Sequence, residues 1–462
     1  MKDDAIRKAD REILADLYLA RQGYEFLEEL IEKFGSRFGG TPEEHGAARF
    51  IAERFRSFGL DPVELEPFSC QGWTRKETKL EVISPVSREI PAIALPFCPP
   101  GEVEGELVYL GDGHPQAYEQ NRDRIKGNIV MVTTATPRFY HRSMHRGEKL
   151  GRALELGAIG FIWMRGEPGG LPETGSGRFN RAVEVPAISV SYEHGHEMLR
   201  LAKRGPLRIK ITSTNEVHPV ESYNVVGELK GSRDDEIIIV GAHYDGHDIS
   251  QSAADDGAGT AVLVEAARAL SPHRHLLGRT VRFVAFAQEE MGLIGSEHHA
   301  SRVDPKKVAF MLNLDGAGRG QNAVFTLQGW PEGIQAFKDY FKDMTEDDVA
   351  VGDSIGLYSD MYPFAIRGVP SAWLVSQAPQ SPGAPRGYGH TFWDSLDKIS
   401  ARAIQADAAR VARLLLRLSR EEELPVRWKE PRKIKETLGE MGLLEVLRYE
   451  LRPFPEALLR ER

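Results

Sequence analysis

Apolar residues recur at helical spacing from about Ala5 to Phe34, at Ile13, Leu14, Leu17, Leu19, Phe26, Leu27, Leu30 and Ile31. Such a stripe predicts an amphipathic helical stretch, broken by Gly35 and Gly39-Gly40. A second helix is predicted from Thr41. Thr41 caps it, Pro42 suits its first turn, and Glu44 completes a capping box. Phe50, Ile51, Phe55 and Phe58 form its buried stripe, and Gly59 ends it.

The texture changes between about Thr78 and Ile211. Short apolar runs (LEVIS, PAIAL, ELVYL, NIVMV, GFIWM, PAISV) alternate with Gly and Pro. These runs predict strands, interrupted by one helix from about Gly147 to Leu156. From Tyr223 onward strand and helix alternate. Strands are predicted at 236–242, 280–287, 308–315 and 369–376, with a helix at 258–270. Continuous apolar strands separated by helices imply a sheet covered on both faces. The expected architecture is therefore α/β: a mixed, largely parallel sheet flanked by helices, with a separate β-rich insert. The expected boundaries are 1–77 and 215–424 for the two parts of the main domain, 78–214 for the insert, and 425–462 for a charged, partly helical tail.

The composition is that of a soluble globular protein, 41% apolar and 27% charged over 462 residues. A net charge of -9 argues against a general nucleic-acid binder, whose footprint is basic. The charged N-terminus lacks a signal-type apolar run, and no stretch approaches the ~20 apolar residues of a membrane span. The expectation is a cytoplasmic protein with no membrane or nucleic-acid partner. Cys70 and Cys98, without a Cys-x-x-Cys pair, read as buried thiols rather than a disulfide framework.

In open α/β sheets ligands bind beyond the carboxyl ends of the strands. Here those ends carry metal-type side chains. The first strand leads to His243 and Asp245, and the loop after it holds Asp255 and Asp256. The second leads to Glu289 and Glu290, the third to Asp315, and a turn after the fourth holds His390. Each feature alone is weak, since a strand-end Asp is often a helix cap and paired glutamates often a solvated helix start. Together they predict a metal site. Imidazole and carboxylate donors without thiolate suit catalytic zinc.

The segments GAHYD, ADDGAG, EEMGLIGS, NLDGAG and GHTFWDSLDKI, in this order and at these spacings, resemble the co-catalytic di-zinc aminopeptidases of clan MH. That group includes bacterial leucyl aminopeptidases and glutamate carboxypeptidase II. The resemblance spans most of residues 30–420. It implies two Zn²⁺ per chain, with Co²⁺ or Mn²⁺ as substitutes. His243 and Asp315 would hold one ion, Glu290 and His390 the other, and Asp255 would bridge them. Glu289 would be the general base that takes a proton from a metal-activated water and passes it to the leaving amine. Asp245 would orient His243 through its far nitrogen, with Asp394 a weaker candidate for a similar role. Many such enzymes carry Tyr directly before the last His to stabilise the oxyanion. Here that position is Gly389, and Tyr388 stands one residue earlier as a candidate helper.

Residues 153–164 with 185–190 resemble a protease-associated (PA) domain, an insert that shapes a cleft without carrying chemistry. His141 and His145 read as surface residues. His247 and Asp248 read by default as residues of an exposed loop near the site, with a place lining the substrate cleft as the alternative; His298-His299 read as helix residues; Asp360 reads as a helix cap, although similar enzymes often place such a Ser-Asp pair near the cleft. The implied substrate is a peptide, cleaved from its amino end. A carboxypeptidase or dipeptidase on the same fold is the closest rival. It needs a cation for the terminal carboxylate, for which Arg367 and Arg386 are candidates. A glutaminyl-cyclase-like acyltransferase with one metal and a non-catalytic receptor-like module are the remote alternatives. The oligomeric state stays open, a homodimer among the options.

Overall fold

The computed structural model describes residues 2–320, 322–346, 348–377 and 387–459. The N-terminal apolar stripe is divided between two helices, Lys2–Leu19 and Gln22–Phe34. The break lets Gly23 press against the helices behind it. A Cβ there would lie 2.4 Å from Glu265 and 2.8 Å from Ile404. The third helix, Pro42–Ser57, starts as its sequence predicts, with the Glu44 N–H donating to Thr41 Oγ1 at 3.3 Å. The capping box differs by one residue. The Glu44 carboxylate accepts from the Gly40 N–H at 2.7 Å, not from Thr41.

Two eight-stranded sheets organise the chain. The first is mixed. Its central strand, Arg233–His243, runs parallel to Arg279–Phe286 on one side and Val308–Asn313 on the other. Ser371–Gln377 continues the parallel run beyond Val308–Asn313. Antiparallel strands close both flanks, including the long Val63–Thr74 and Glu216–Leu229 pair. The continuous apolar run EIIIVGA has a simple cause. Ile238 and Val240 pack into the layer with helices Ala258–Leu270 and Ala401–Arg420, while Ile239 packs into the opposite layer with Phe286, Met311 and Phe364. A strand buried on both faces has no polar side to show.

The second sheet takes its strands from Thr78–Ser84 through Arg208–Ser213. All six predicted runs of the insert lie in it. Its helix, Arg146–Glu155, meets the C-terminal tail. Two tail helices, Pro431–Glu440 and Leu443–Tyr449, follow the last long helix. The Tyr449 carbonyl accepts from Arg178 of the insert at 2.9 Å, and the Arg427 carbonyl accepts from Trp330 of the first domain at 2.8 Å. The tail thus ties the two sheets together. His145, expected at the surface, belongs to this junction: its ring stacks on Tyr358 at 4.1 Å and its Nδ1 lies 3.0 Å from Glu450. His141 is exposed.

Gly151 marks the tightest point of the junction, since a Cβ there would lie 2.2 Å from the Tyr449 carbonyl oxygen. In a helix interior Gly→Ala ordinarily stabilises by about 1 kcal/mol. Here Gly151→Ala is expected to destabilise, by about 1–3 kcal/mol from overpacking against backbone. Urea unfolding of the variant checks the sign.

Cys70 and Cys98 are both free and buried, in separate clusters. No helix among the described residues is long and apolar enough to cross a membrane.

Candidate metal centre

The ends of three adjacent parallel strands converge on one spot. His243 is the last residue of its strand, opposite Phe286, and Glu289 and Glu290 lie three and four residues past Phe286. Asp315 lies two residues past Asn313. The Asp255 loop enters from the side and leads straight into helix Ala258–Leu270. His390 comes from the turn after strand Ser371–Gln377.

The side chains gather into two groups, His243/Asp255/Asp315 and His247/Glu290/His390, each with donor atoms close enough to hold one cation. Asp255 belongs to both neighbourhoods. Its Oδ1 lies 3.5 Å from His243 Nε2, and its Oδ2 lies 3.2 Å from His390 Nε2. His243 Nε2 is 4.0 Å from Asp315 Oδ1, and His390 Nε2 is 3.5 Å from Glu290 Oε2.

The glutamate pair separates by geometry. Glu290 Oε2 faces two imidazoles, while its Oε1 is buried without a hydrogen bond. Glu289 is 9% exposed, and its carboxylate makes no hydrogen bond among the described residues. Asp245 holds both in place. Its Oδ1 accepts from the Glu289 N–H at 3.1 Å and its Oδ2 from the Glu290 N–H at 3.3 Å. The Nδ1 of His243 sits 3.1 Å from the Asp245 carbonyl and 3.6 Å from its carboxylate. One buried residue therefore fixes the histidine and both glutamates.

Asp394 supports a different residue from the one expected. Its carboxylate accepts from the Ala254 and Asp255 N–H groups at 2.7 and 3.0 Å, so it holds the Asp255 loop rather than His390. The Asp256 carboxylate accepts from the N–H groups of Gly259 and Gly316, tying that loop to the Asp315 turn. Ser359 Oγ donates to Asp315 Oδ2 at 2.6 Å. Asp360 is not a helix cap. The short helix after it starts at Tyr362 without a side-chain cap, and Asp360 is fully buried.

So many buried carboxylates distort one another. Burial pushes Glu289 well above the usual carboxylate range, and Glu290, Asp315 and Asp360 add to it against the pull of His243. Burial also raises Asp360 to about 7. Burial would raise Asp255 too, but Arg319, His243 and His390 outweigh it and hold the group well below its usual value. Burial opposes the charge of Glu290 as well, but the His247 and His390 rings bring it down to about 2. A cavity lined by this many acids calls for added positive charge. The orphaned Glu290 Oε1 and the all-nitrogen, all-oxygen donor set fit divalent cations.

Three residues stand at the site without a metal-site role in the sequence reading. His247 is 1% exposed and stands beside Glu290 and His390, not in an exposed loop. Arg319 places Nη2 at 3.1 Å from Asp255 Oδ1 and 3.3 Å from Asp315 Oδ1. Its position four residues after Asp315 in NLDGAGRG was the available signal. Arg37, fully buried and pulled down to about 10 by that burial, donates to the carbonyls of Tyr244, Gln251 and Ser252. It pins the loop from both ends. Besides the nearby Gly35 carbonyl, its partners are 207 to 215 residues away in sequence, so no local pattern reveals its hold on the loop.

Tyr388 lies under the Lys398 ammonium, 5.1 Å from its ring centroid. Gly389 packs on the Asp255 carboxylate, where a Cβ would lie 3.0 Å from Oδ2. Arg367 is paired with Glu297 and also donates to the Pro363 carbonyl. Arg386 lies outside the described residues.

A mixed sheet with two groups of metal-type side chains at its carboxyl edge, beside a second β domain, fits a metallopeptidase. Comparison with known proteins points to the same class. Residues 224–415 match Peptidase family M28, and residues 103–198 match the PA domain. Aminopeptidase YwaD of Bacillus subtilis (strain 168) is 28% identical over 436 residues, covering 90% of this chain and 89% of its own. Carboxypeptidase Q of Xenopus laevis is 26% identical over 288 residues, covering 60% of this chain and 61% of its own. The solved structure of an aminopeptidase from Aneurinibacillus sp. strain AM-1 superposes with a TM-score of 0.67 at 26% identity, covering 90% of this chain and 97% of that one. The chain thus resembles Peptidase family M28 over residues 224–415, with a PA domain match at residues 103–198 ahead of it.

Proposed function

We propose that this protein is a zinc-dependent aminopeptidase that removes residues from the amino ends of peptides. The observation that carries this reading is the Asp255 carboxylate, with one oxygen toward His243 and the other toward His390. A carboxylate bridging two ions would need this placement. His243 and Asp315 would hold one Zn²⁺, and Glu290 and His390 the other. Bound zinc acidifies a water and polarises the scissile carbonyl. Glu289, free of hydrogen bonds and fixed by Asp245, takes the water's proton and returns it to the leaving amine. Asp245, Asp394 and Ser359 keep the donors at their stations before any substrate arrives. The surplus of buried carboxylates favours a substrate's α-ammonium over its carboxylate at this end of the cleft.

The curated relatives include an aminopeptidase and a carboxypeptidase. The second activity has one observation in its favour. Arg146 of the PA domain donates through Nε to the Ser176 carbonyl, and neither Nη has a partner among the described residues. That leaves a guanidinium available for a terminal carboxylate. A set of peptides with free, N-acetylated and C-amidated ends separates the two. The aminopeptidase reading predicts hydrolysis of free and C-amidated peptides and none of the acetylated ones. Hydrolysis of acetylated peptides with loss of the amidated ones would establish the carboxypeptidase.

Gly389 offers a second check. The variant Gly389→Ala pushes a methyl against Asp255 Oδ2. It is expected to weaken zinc retention by roughly the 10–100-fold typical of disturbing a ligand's support. Chelator titration of the loaded protein measures it.

A further inference from the structure

The Glu290 and His390 side of the site holds a second imidazole, that of His247. Its ring lies edge-on to His390, with centroids 4.5 Å apart. Its Nε2 is 2.8 Å from Glu290 Oε2 and 3.2 Å from His390 Nδ1. The ring is 1% exposed, and the fold fixes where it points. The His247 N–H donates to Ser252 Oγ at 3.0 Å, and the Ser252 carbonyl is held by Arg37 at 2.9 Å. A side chain on the preceding Gly246 would lie 2.2 Å from Ser252, so the loop closes as tightly as the chain allows. The other ring nitrogen, Nδ1, is buried without a protein hydrogen bond. Only the nitrogen facing Glu290 and His390 is engaged.

Resting on the zinc reading above, we propose that His247 is a third protein ligand, through Nε2, to the ion held by Glu290 and His390. That ion then has two imidazoles, one carboxylate and the Asp255 bridge. The ion of His243 and Asp315 has a single imidazole and a carboxylate besides the bridge. The two positions become unequal in a way that matters for catalysis. Four protein donors fill a zinc site in the manner of a structural ion, whereas three leave a position open for a reacting group. The His247 side is therefore the tighter, nitrogen-rich site, selective for zinc over manganese or magnesium. The His243 side is the more open one, where substrate docks.

The test uses the full chain with His247→Gln and His247→Ala, loaded with zinc and compared with the unaltered protein and with Glu289→Gln. Bound zinc is counted against rising chelator, and X-ray absorption counts imidazole donors per ion. Thermal unfolding confirms that each variant is folded, the Gln variant serving if Ala does not fold. The expected result is three imidazoles shared by two ions in the unaltered chain and two in either variant. The tighter ion should be stripped at roughly 10–100-fold lower chelator, the range for loss of one supporting group at a metal. Glu289→Gln should match the unaltered chain in both measurements. Unchanged donor counts and stripping within twofold would overturn the assignment of His247 while leaving the two-zinc reading intact. Failure of the unaltered chain to take up zinc would overturn both.

Discussion

Glu289→Gln is expected to keep the fold and the zinc content of the protein while lowering kcat by about 10²–10⁴-fold, the usual contribution of a positioned general base. The amide has the same shape as the carboxylate but cannot accept the water's proton. The placement of the residue supports this split between structure and chemistry. Its backbone N–H is held by Asp245, and its side chain makes no hydrogen bond whose loss would disturb the site. KM should change little, because the amide leaves the ion-binding residues as they were. Steady-state kinetics and zinc analysis on the same sample check both halves. Equal losses of zinc and activity would show that Glu289 is a ligand and that the roles of the pair are reversed.

Asp255→Asn is expected to be more damaging. Among the described residues, Asp255 is the one side chain whose two oxygens face His243 and His390 separately, and its carboxylate also receives Arg319. An amide keeps one oxygen and presents an NH₂ donor on the other side, which repels a cation instead of binding it. Zinc content should fall to one ion per chain or fewer, and activity at least as far as in Glu289→Gln. The remaining groups would also feel the change. Arg319 loses its nearest anionic partner, and His390, now raised to about 9 against its burial by Glu290 and Asp255, loses one of the two charges that hold it there. Zinc analysis by mass spectrometry together with kcat/KM checks this. Two tightly held ions in the variant would remove Asp255 from the bridge.

The sheet was legible because its strands are long apolar runs ending in polar, glycine-rich turns. The reason is physical: strands covered on both faces cannot alternate, so EIIIVGA and TVRFVAF announce themselves. Six of the eight strands in the insert's sheet were equally plain, each bounded by Gly or Pro, while Arg88–Ile90 and Arg208–Ser213 were not. The edge of the first sheet was not. The Val63–Thr74 and Glu216–Leu229 strands pair over their whole length, yet their mixed polar sequences carry no strong period. The N-terminal stripe gave its helical spacing but not its break, because a break that lets Gly23 approach Glu265 depends on a helix more than two hundred residues away.

At the site, the strand-end carboxylates and imidazoles were visible as residue types, and the family resemblance gave them expected roles. The residues that position them were harder to place. Asp394 was near enough in sequence to His390 to suggest the wrong partner, and the fold turns its carboxylate to the Asp255 loop. Asp360 looked like a cap and is buried instead, because the helix after it is only one turn long and begins two residues later. His247 looked like a loop residue because a loop does hold it, but Arg37 and Ser252 draw that loop into the interior. Burial of a polar loop by a distant arginine leaves no trace in local sequence.

The central claim is a two-ion centre bridged by Asp255, and the most direct test is a zinc titration of metal-free protein. Bound zinc and hydrolysis of an unblocked peptide are measured at each step. The account predicts saturation at two ions per chain, with hydrolysis reaching its full value only as both positions fill. Saturation at one ion with full activity, or activity that persists in the metal-free protein, would contradict it.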